Sequence, residues 1–138
     1  MSEEQEWNQK LIAEFRANNG KVGGHFKGKT LLLLHTIGAK SGEERVNPTA
    51  YVRAGECFAI IASNSGAANH PAWYHNLLAN PLATIEVGTD LFQAQARIAE
   101  EPERTRLYDK MAEMMPAFDL YRREATREIP VVVLERVS

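Results

Sequence analysis

The chain has 138 residues, a length typical of one domain that buries roughly two-thirds of the surface its unfolded chain exposes. Its 16 Lys and Arg residues against 18 Asp and Glu give a formal charge of −2, which excludes a strongly basic nucleic-acid interface. A single cysteine excludes an intrachain disulfide and a multi-cysteine metal site.

The first predicted element is an amphipathic helix over residues 5–18, in which Trp7, Leu11, Ile12 and Phe15 recur at helical spacing. Such helices mostly cover the core of their own domain. The open alternatives are a lid over a site and a peripheral contact with a membrane, which the acidic polar face disfavours. We expect no signal peptide, because none is visible in the sequence, and no apolar run comes near the about 18–20 residues of a membrane span. We therefore expect a cytoplasmic protein, with a membrane-peripheral location as the alternative.

A leucine-rich strand at residues 30–37 ends in a small, polar and basic loop. Gly38 and Gly42 permit positive φ, so successive backbone N–H groups are expected to converge on an anion. Lys40 and Arg45 add an ammonium group and a planar guanidinium suited to phosphate. The loop predicts a phosphate-bearing cofactor; the alternative is a polar hairpin with two solvated charges.

A second polar segment follows the strand at residues 57–62 and leads into a short helix predicted at 71–79, with Asn69 as its N-cap. The positive end of this helix also favours an anion. Trp73 and Tyr74 are adjacent and leave the helix on different faces, so one is free to pack inward while the other lines a site. The alternative is a helix face that only packs on a sheet.

The remaining predicted elements are strands at residues 46–53, 82–87, 91–98 and 129–137, a helix at 100–115 and a short helix after Pro116. Successive hairpins and a late strand indicate an antiparallel barrel. We expect residues 1–138 to form one domain, in which the N-terminal helix and lead-in, residues 1–27, are free to move.

Three motifs resemble the actinobacterial deazaflavin-dependent nitroreductase family, class A of the flavin/deazaflavin oxidoreductases. They read Thr-Ile-Gly-Ala-Lys-Ser-Gly-Glu-Glu-Arg-Val-Asn-Pro at residues 36–48, Asn-His-Pro-Ala-Trp-Tyr-His-Asn-Leu-Leu-Ala-Asn-Pro at 69–81 and Ile-Pro-Val-Val-Val at 129–133. The likeness extends from residue 28 to the end of the chain. It implies an α+β fold, a mainly antiparallel split β-barrel akin to the FMN-binding split barrel, with flanking helices.

The resemblance implies that the cofactor is coenzyme F-420, a deazaflavin whose tail carries a phosphate and glutamate carboxylates. The positions it implies for cofactor binding are Lys40, Ser41, Arg45, Val46, Asn47, Pro48, Ala62, Ser63, Asn64, Ala72, Trp73, Tyr74 and Asn76. Ser63 and Tyr121 match substrate-proximal positions and are the candidate catalytic residues. Lys27 and Lys29 alternate on a segment predicted to be extended and are expected to add outer contacts. No metal site is expected, because the four histidines lack ligand spacing.

The acceptor is expected to be small and apolar or aromatic, a quinone or a nitroaromatic compound. Nitroimidazole-reducing members of the family carry several tyrosines in the acceptor pocket, and the matching residues here are Ala50, Met115, Phe118 and Tyr121. A pocket poor in hydroxyls should orient a nitro group badly. We therefore expect hydride transfer from reduced coenzyme F-420 to a quinone, with weak or no nitroimidazole reduction.

Two other functions remain open at this point. One is an FMN-dependent split-barrel reductase, and the other is a non-catalytic protein that carries the deazaflavin. A homodimer is common among split barrels, although nothing in the sequence demands one.

Overall fold

The computed structural model describes residues 2–137, apart from the side chains of Glu4 and His25. Within that part, six antiparallel strands form a closed barrel in the spatial order β1-β2-β3-β6-β5-β4. The strands are β1 (Leu31–Ile37), β2 (Glu44–Ala54), β3 (Cys57–Ile61), β4 (Leu82–Val87), β5 (Asp90–Ile98) and β6 (Val131–Arg136). The flanking helices are α1 (Glu3–Ala17), α2 (Ala72–Ala79), α3 (Glu103–Met114) and α4 (Ala117–Glu124). The mainly antiparallel barrel with flanking helices is confirmed.

Alternation along the strands divides the apolar side chains between two regions, because residues two apart on a strand share a face. The interior of the barrel is filled by a cluster that includes Leu32, Leu34, Phe58, Ile60, Ile85, Val132 and Leu134. The opposite faces of β2, β3 and β6 pack against α3 and α4 through residues that include Val52, Ile61, Leu107, Met111, Phe118 and Val133. The barrel thus has one core inside and a second under the helices.

Helix α1 covers the outer face of β1. Its Leu11 and Phe15 are buried against Leu31 and Leu33, two residues apart on the strand. This is the core-covering role, and it accounts for the apolar stripe seen in the sequence. Trp7, by contrast, lies beyond this contact and is half exposed.

An ion pair between Arg16 and Glu86 also joins α1 to the barrel. Arg16 donates to both carboxylate oxygens of Glu86 on β4, at 3.2 and 2.8 Å, and a ring nitrogen of His35 on β1 lies 2.6 Å from the same carboxylate. The hydrogen bond from Arg16, and then the contact with His35, holds the pKa of Glu86 below its ordinary value of 4.5. The carboxylate form is therefore favoured in the folded protein.

The free energy of unfolding is expected to decrease as the pH falls below 4.5, because Glu86 takes up a proton more readily in the unfolded chain than in the folded one. A carboxyl group with a lowered folded pKa stabilises the protein above its unfolded pKa, and this contribution is lost as the pH falls through the folded pKa. Urea unfolding at several pH values measures the effect. Glu86→Gln should flatten the acid limb, and an equally steep limb in that variant would contradict the assignment.

Two predicted boundaries are wrong. β2 begins at Glu44 rather than at residue 46, so Arg45 lies on a strand instead of in the loop. Asn69 does not cap α2: Pro71 occupies the N-cap in an extended conformation, with ψ of 153°. The carbonyl of Asn69 instead accepts a hydrogen bond from the amide of Asn64 at 3.1 Å. No helix within residues 2–137 is long and apolar enough to cross a membrane.

Candidate functional site

A cleft of about 350 Å³ opens between β2, the residues after β3, and helices α2 and α4, with the start of α1 at its rim. Six of the predicted cofactor-binding residues line it: Asn47, Pro48, Ser63, Asn64, Ala72 and Trp73. All four predicted acceptor positions line it as well: Ala50, Met115, Phe118 and Tyr121. The structure therefore brings the two motifs and the later helices together in one place.

One end of the cleft is apolar and aromatic. Ala50, Met115 and Phe118 are buried, and the ring of Tyr121 packs edge-on against that of Phe118 with centroids 5.2 Å apart. At the rim, Trp7 contacts another lining residue, Phe26, with ring centroids 6.0 Å apart. A flat, apolar molecule fits such surroundings.

Ser63 stands where the chain leaves β3 and lies in the wall of the cleft with 7% of its surface exposed. Its carbonyl accepts hydrogen bonds from the N–H of Gly66 and from the guanidinium of Arg127. Within residues 2–137 its hydroxyl bonds to no other protein group. The following Asn64 and Ser65 both have positive φ, at 48° and 56°. The backbone is thus folded sharply, and the Ser63 hydroxyl remains available to a ligand.

The two glycines of the basic loop are required for different reasons. Gly42 has φ of 71°, as predicted. Gly38 does not lie in the left-handed region, so the prediction of positive φ is wrong there. A Cβ at Gly38 would instead lie 2.4 Å from the hydroxyl oxygen of Ser41, so a side chain there requires that hydroxyl to move.

Gly38→Ala is expected to destabilise the protein by about 1–3 kcal/mol, because the added methyl group overlaps the Ser41 hydroxyl. Urea unfolding measures the loss. The double variant Gly38→Ala/Ser41→Ala should recover part of that stability, since it removes the overlapping atom. No recovery would mean that the backbone around Gly38, and not this side chain, sets the requirement.

The backbone N–H groups of the loop are largely bonded within the protein. Four of them donate to protein acceptors, those of Gly38, Ala39, Gly42 and Glu43. Within the described residues, only the N–H groups of Lys40 and Ser41 are left to meet a ligand. Closing the hairpin uses most of the donors, so the convergence of successive N–H groups on an anion is limited to these two neighbours and stays a prediction.

The loop nevertheless presents two cations to solvent. Lys40 is exposed and forms no ion pair with another residue between 2 and 137. Arg45 has 55% of its side chain exposed and lies 3.5 Å from the Glu43 carboxylate, a loose contact. Arg45 is two residues before Asn47 on β2 and so shares its face. Neither Lys40 nor Arg45 lines the cleft itself, and Arg45 lies nearer to it along the chain, on the strand that carries Asn47.

Asn76 is buried and fixes the loop to α2. Its side-chain oxygen accepts the N–H of Ala39 at 2.9 Å, and its amide donates to the Thr36 hydroxyl at 3.0 Å. Asn76→Ala should lower the free energy of unfolding by about 1–3 kcal/mol, because both partners lose a bond in a dry site. His75→Ala, exposed on the same helix, is the matched control. Equal stability of both variants in urea would contradict this role.

Other predicted cofactor-binding residues lie outside the lining of the cleft. Val46 packs on the α1 side of the barrel, and Ala62 is fully buried inside it. Tyr74 contacts the ring of His70, with centroids 4.7 Å apart. Contact between these residues and a cofactor stays a prediction.

The extended segment predicted for Lys27 and Lys29 is wrong. Residues 27–29 form a turn in which Gly28 has φ of 76°, so Lys27 and Lys29 do not alternate on a strand. The Lys29 ammonium donates to the carbonyl of Met114 at 2.7 Å, near the end of α3. Lys29 therefore satisfies a carbonyl group at the C-terminal end of α3.

Arg127 is the residue that the sequence did not indicate. It lies between α4 and β6, yet its guanidinium donates to the carbonyls of Ala62, Ser63 and Ala67. A single arginine in a polar loop has no distinctive local pattern. Trp7 and Phe26 were likewise not predicted to line the cleft, because only the fold brings the N-terminal segment to its rim.

Comparison with known proteins gives a consistent result. The model of the F420H(2)-dependent quinone reductase family matches residues 7–136, a range that contains every residue lining the cleft. A Mycobacterium tuberculosis protein named F420H(2)-dependent quinone reductase is 38% identical over 128 residues, which cover 90% of this chain and 86% of the relative.

Two solved structures are also similar to this chain. One, described as an F420-H2 dependent reductase, aligns with a TM-score of 0.70 and 34% identity over 77% of this chain and 94% of that one. The other, described as a domain-swapped dimer, aligns with a TM-score of 0.72 and 31% identity over 95% and 96% of the two chains.

Proposed function

The chain belongs to the F420H(2)-dependent quinone reductase family and is an oxidoreductase that uses coenzyme F-420. From this premise we propose that the cleft holds the cofactor ring and a quinone side by side, with the anionic tail toward Lys40 and Arg45. The observation that carries the proposal is the lining of the cleft, which is apolar and aromatic at the Phe118 end and polar at Asn47. Arg45 stands two residues before Asn47 on the same face of β2.

The side chains present fit this cofactor. When bound, it supplies a hydride from a ring carbon, and the protein supplies binding and orientation. Trp73 offers an aromatic surface in the cleft wall, and Asn47 and Asn64 offer polar groups beside it. Lys40 and Arg45 are exposed cations without a tight ion pair, so they are available to phosphate and carboxylate groups.

We propose that Ser63 and Tyr121 orient the acceptor. Both line the cleft, and a quinone carbonyl that accepts hydride also needs a hydrogen-bond donor at its oxygen. The Ser63 hydroxyl is free of protein partners within residues 2–137, and Tyr121 is the one hydroxyl left among the four acceptor positions. The buried walls around them limit the access of water to the reacting groups.

The proposed acceptor class rests on the other three positions. Ala50, Met115 and Phe118 give the pocket no hydroxyl with which to hold a nitro group. The triple variant Ala50→Tyr/Met115→Tyr/Phe118→Tyr should therefore reduce a bicyclic nitroimidazole faster than the natural protein. Phe118→Tyr alone adds a hydroxyl with the least change in volume. Leu120→Tyr, on the exposed face of α4, is the control. An unchanged nitroreduction rate in folded variants would refute this account of the pocket.

The activity itself is tested by mixing the purified protein with reduced coenzyme F-420 and a small naphthoquinone, and following reoxidation of the cofactor. We expect quinone-dependent turnover and little turnover with a nitroimidazole. Tight cofactor binding without turnover by any quinone would favour the carrier function. A protein that is yellow as purified would favour FMN.

We also propose, on narrower grounds, that the chain forms a homodimer. The support is the solved relative described as a domain-swapped dimer. Light scattering gives the mass in solution: twice 15.5 kDa is expected, and a monomer at all concentrations would contradict it. A peripheral membrane contact through α1 stays a prediction, which co-sedimentation with anionic vesicles would test.

A further inference from the structure

We infer that Arg127 is a positioning residue that sets the Ser63–Ser65 wall of the cleft and so the orientation of the acceptor. The inference rests on the proposed function, because it assigns Arg127 to the same site. Arg127 does not line the cleft. It acts through the backbone that carries Ser63.

The contacts of Arg127 are concentrated on one loop. Its Nη2 donates to the Ser63 carbonyl at 2.8 Å, its Nη1 to that of Ala62 at 3.2 Å and its Nε to that of Ala67 at 3.0 Å. The rigid fork of a guanidinium can bridge acceptors that a single ammonium cannot reach together. One side chain therefore fixes both ends of the turn.

The turn has a conformation that needs such support. Asn64 and Ser65 are consecutive residues in the left-handed region, where non-glycine residues are uncommon. Backbone of this kind persists when surrounding contacts over-determine it, and it is concentrated at functional sites. Arg127 supplies those contacts from the side of the turn that faces away from the cleft.

The same turn meets the helix that presents Tyr121. Gly66 has φ of 80°, and a Cβ built on it would lie 3.3 Å from the Cα of Tyr121 and 3.4 Å from its carbonyl oxygen. The turn is thus held between Arg127 and the backbone of α4. A shift of the turn would displace Ser63 and Tyr121 relative to each other, the two candidate donors to the acceptor.

The pKa of His70 depends on the position of the Arg127 guanidinium. Its Nδ1 lies 2.8 Å from Nη1 of Arg127, so that nitrogen accepts and the ring is neutral with its proton on Nε2. Burial lowers the pKa of His70, and the charges of Arg127 and His75 lower it further. The rings of Tyr74 and His75 are its other close neighbours, with centroids 4.7 and 5.8 Å away. Removing the Arg127 charge should therefore raise the pKa of His70, which NMR titration can follow.

The test compares Arg127→Lys and Arg127→Met with the natural protein, and Arg123→Met is the control. Arg123 is an exposed arginine on α4 that pairs with Asp119. For Arg127→Lys we expect a kcat with naphthoquinone that falls by about 10- to 100-fold, because small misplacements of reacting groups cost this much. The loss of coenzyme F-420 affinity should be smaller, since Ser63 and Asn64 are only two of the residues expected to hold the cofactor. For Arg127→Met we expect a greater loss of kcat. Arg123→Met should match the natural protein.

Hydrogen–deuterium exchange gives a readout that does not depend on turnover. In Arg127→Met, exchange should accelerate at residues 62–67 and stay unchanged in the basic loop at 38–43. Unchanged exchange at 62–67, or unchanged kcat in a folded Arg127→Lys protein, overturns the inference. If the natural protein reduces no quinone, the proposed function has failed, and the exchange data alone still decide whether Arg127 holds the turn.

Discussion

Replacing Lys40 and Arg45 together by alanine is expected to weaken the binding of coenzyme F-420 by about 100-fold, or about tenfold for each charge. The tail of the cofactor is a polyanion, and these two side chains are exposed cations, Lys40 on the loop and Arg45 on β2 two residues before Asn47. Charge-assisted bonds to phosphate and carboxylate groups are the stronger kind, although exposure to solvent weakens them here. Fluorescence titration at constant ionic strength measures the change.

The same double variant should keep nearly all of its folding stability. Exposed charges contribute little to folding, and the Arg45–Glu43 pair is loose at 3.5 Å. Lys21→Ala/Arg123→Ala removes the same charges from exposed positions outside the cleft and is the matched control. The affinity of the natural protein should also fall more steeply with salt than that of the Lys40/Arg45 variant. Normal binding by that variant would mean that the anionic tail lies elsewhere.

Phe15→Ala is expected to lower the free energy of unfolding by about 3–5 kcal/mol, the usual effect of truncating a buried phenylalanine. Phe15 is 1% exposed and packs with Leu11 over Leu31 and Leu33 on the outside of β1. The loss would also release the start of α1, which forms the rim of the cleft. Urea unfolding measures the stability, and quinone KM measures the effect on the rim.

Trp7→Ala separates these two effects. Trp7 is 50% exposed, so its removal should change the free energy of unfolding by less than about 1 kcal/mol. It should still raise the quinone KM, because Trp7 and Phe26 stand together at the cleft. If Phe15→Ala left the stability unchanged, α1 would be undocked in solution, as a mobile lid would be.

The barrel was predictable because its signals are local. The hairpin strands at residues 82–87 and 91–98 alternate between apolar and polar residues, and the structure pairs Ile85 with Phe92 across that hairpin. The stripe of α1 likewise follows from spacing alone. Boundaries were less predictable: Asn69 has the side chain of an N-cap, but Pro71 in an extended conformation delays the helix by one residue.

The candidate site was predictable only in part, because some of its contacts join residues that are distant in the sequence. Motif resemblance indicated Ser63, Asn47 and Trp73, and the structure places all three in the cleft. The requirement for glycine at position 38 comes from the Ser41 hydroxyl, and the conformation of the turn after β3 depends on Arg127. Such contacts exist only after the chain has folded, so no pattern of neighbouring residues predicts them.

The most direct test of the account is a titration of the Trp7→Phe variant with coenzyme F-420 and, separately, with FMN. The chain has two tryptophans, so the remaining fluorescence reports Trp73 in the wall of the cleft. We predict strong quenching with micromolar or tighter affinity for coenzyme F-420 and weak binding of FMN. Tighter binding of FMN, or binding of coenzyme F-420 that leaves Trp73 fluorescence unchanged, would contradict the placement of the deazaflavin in this cleft.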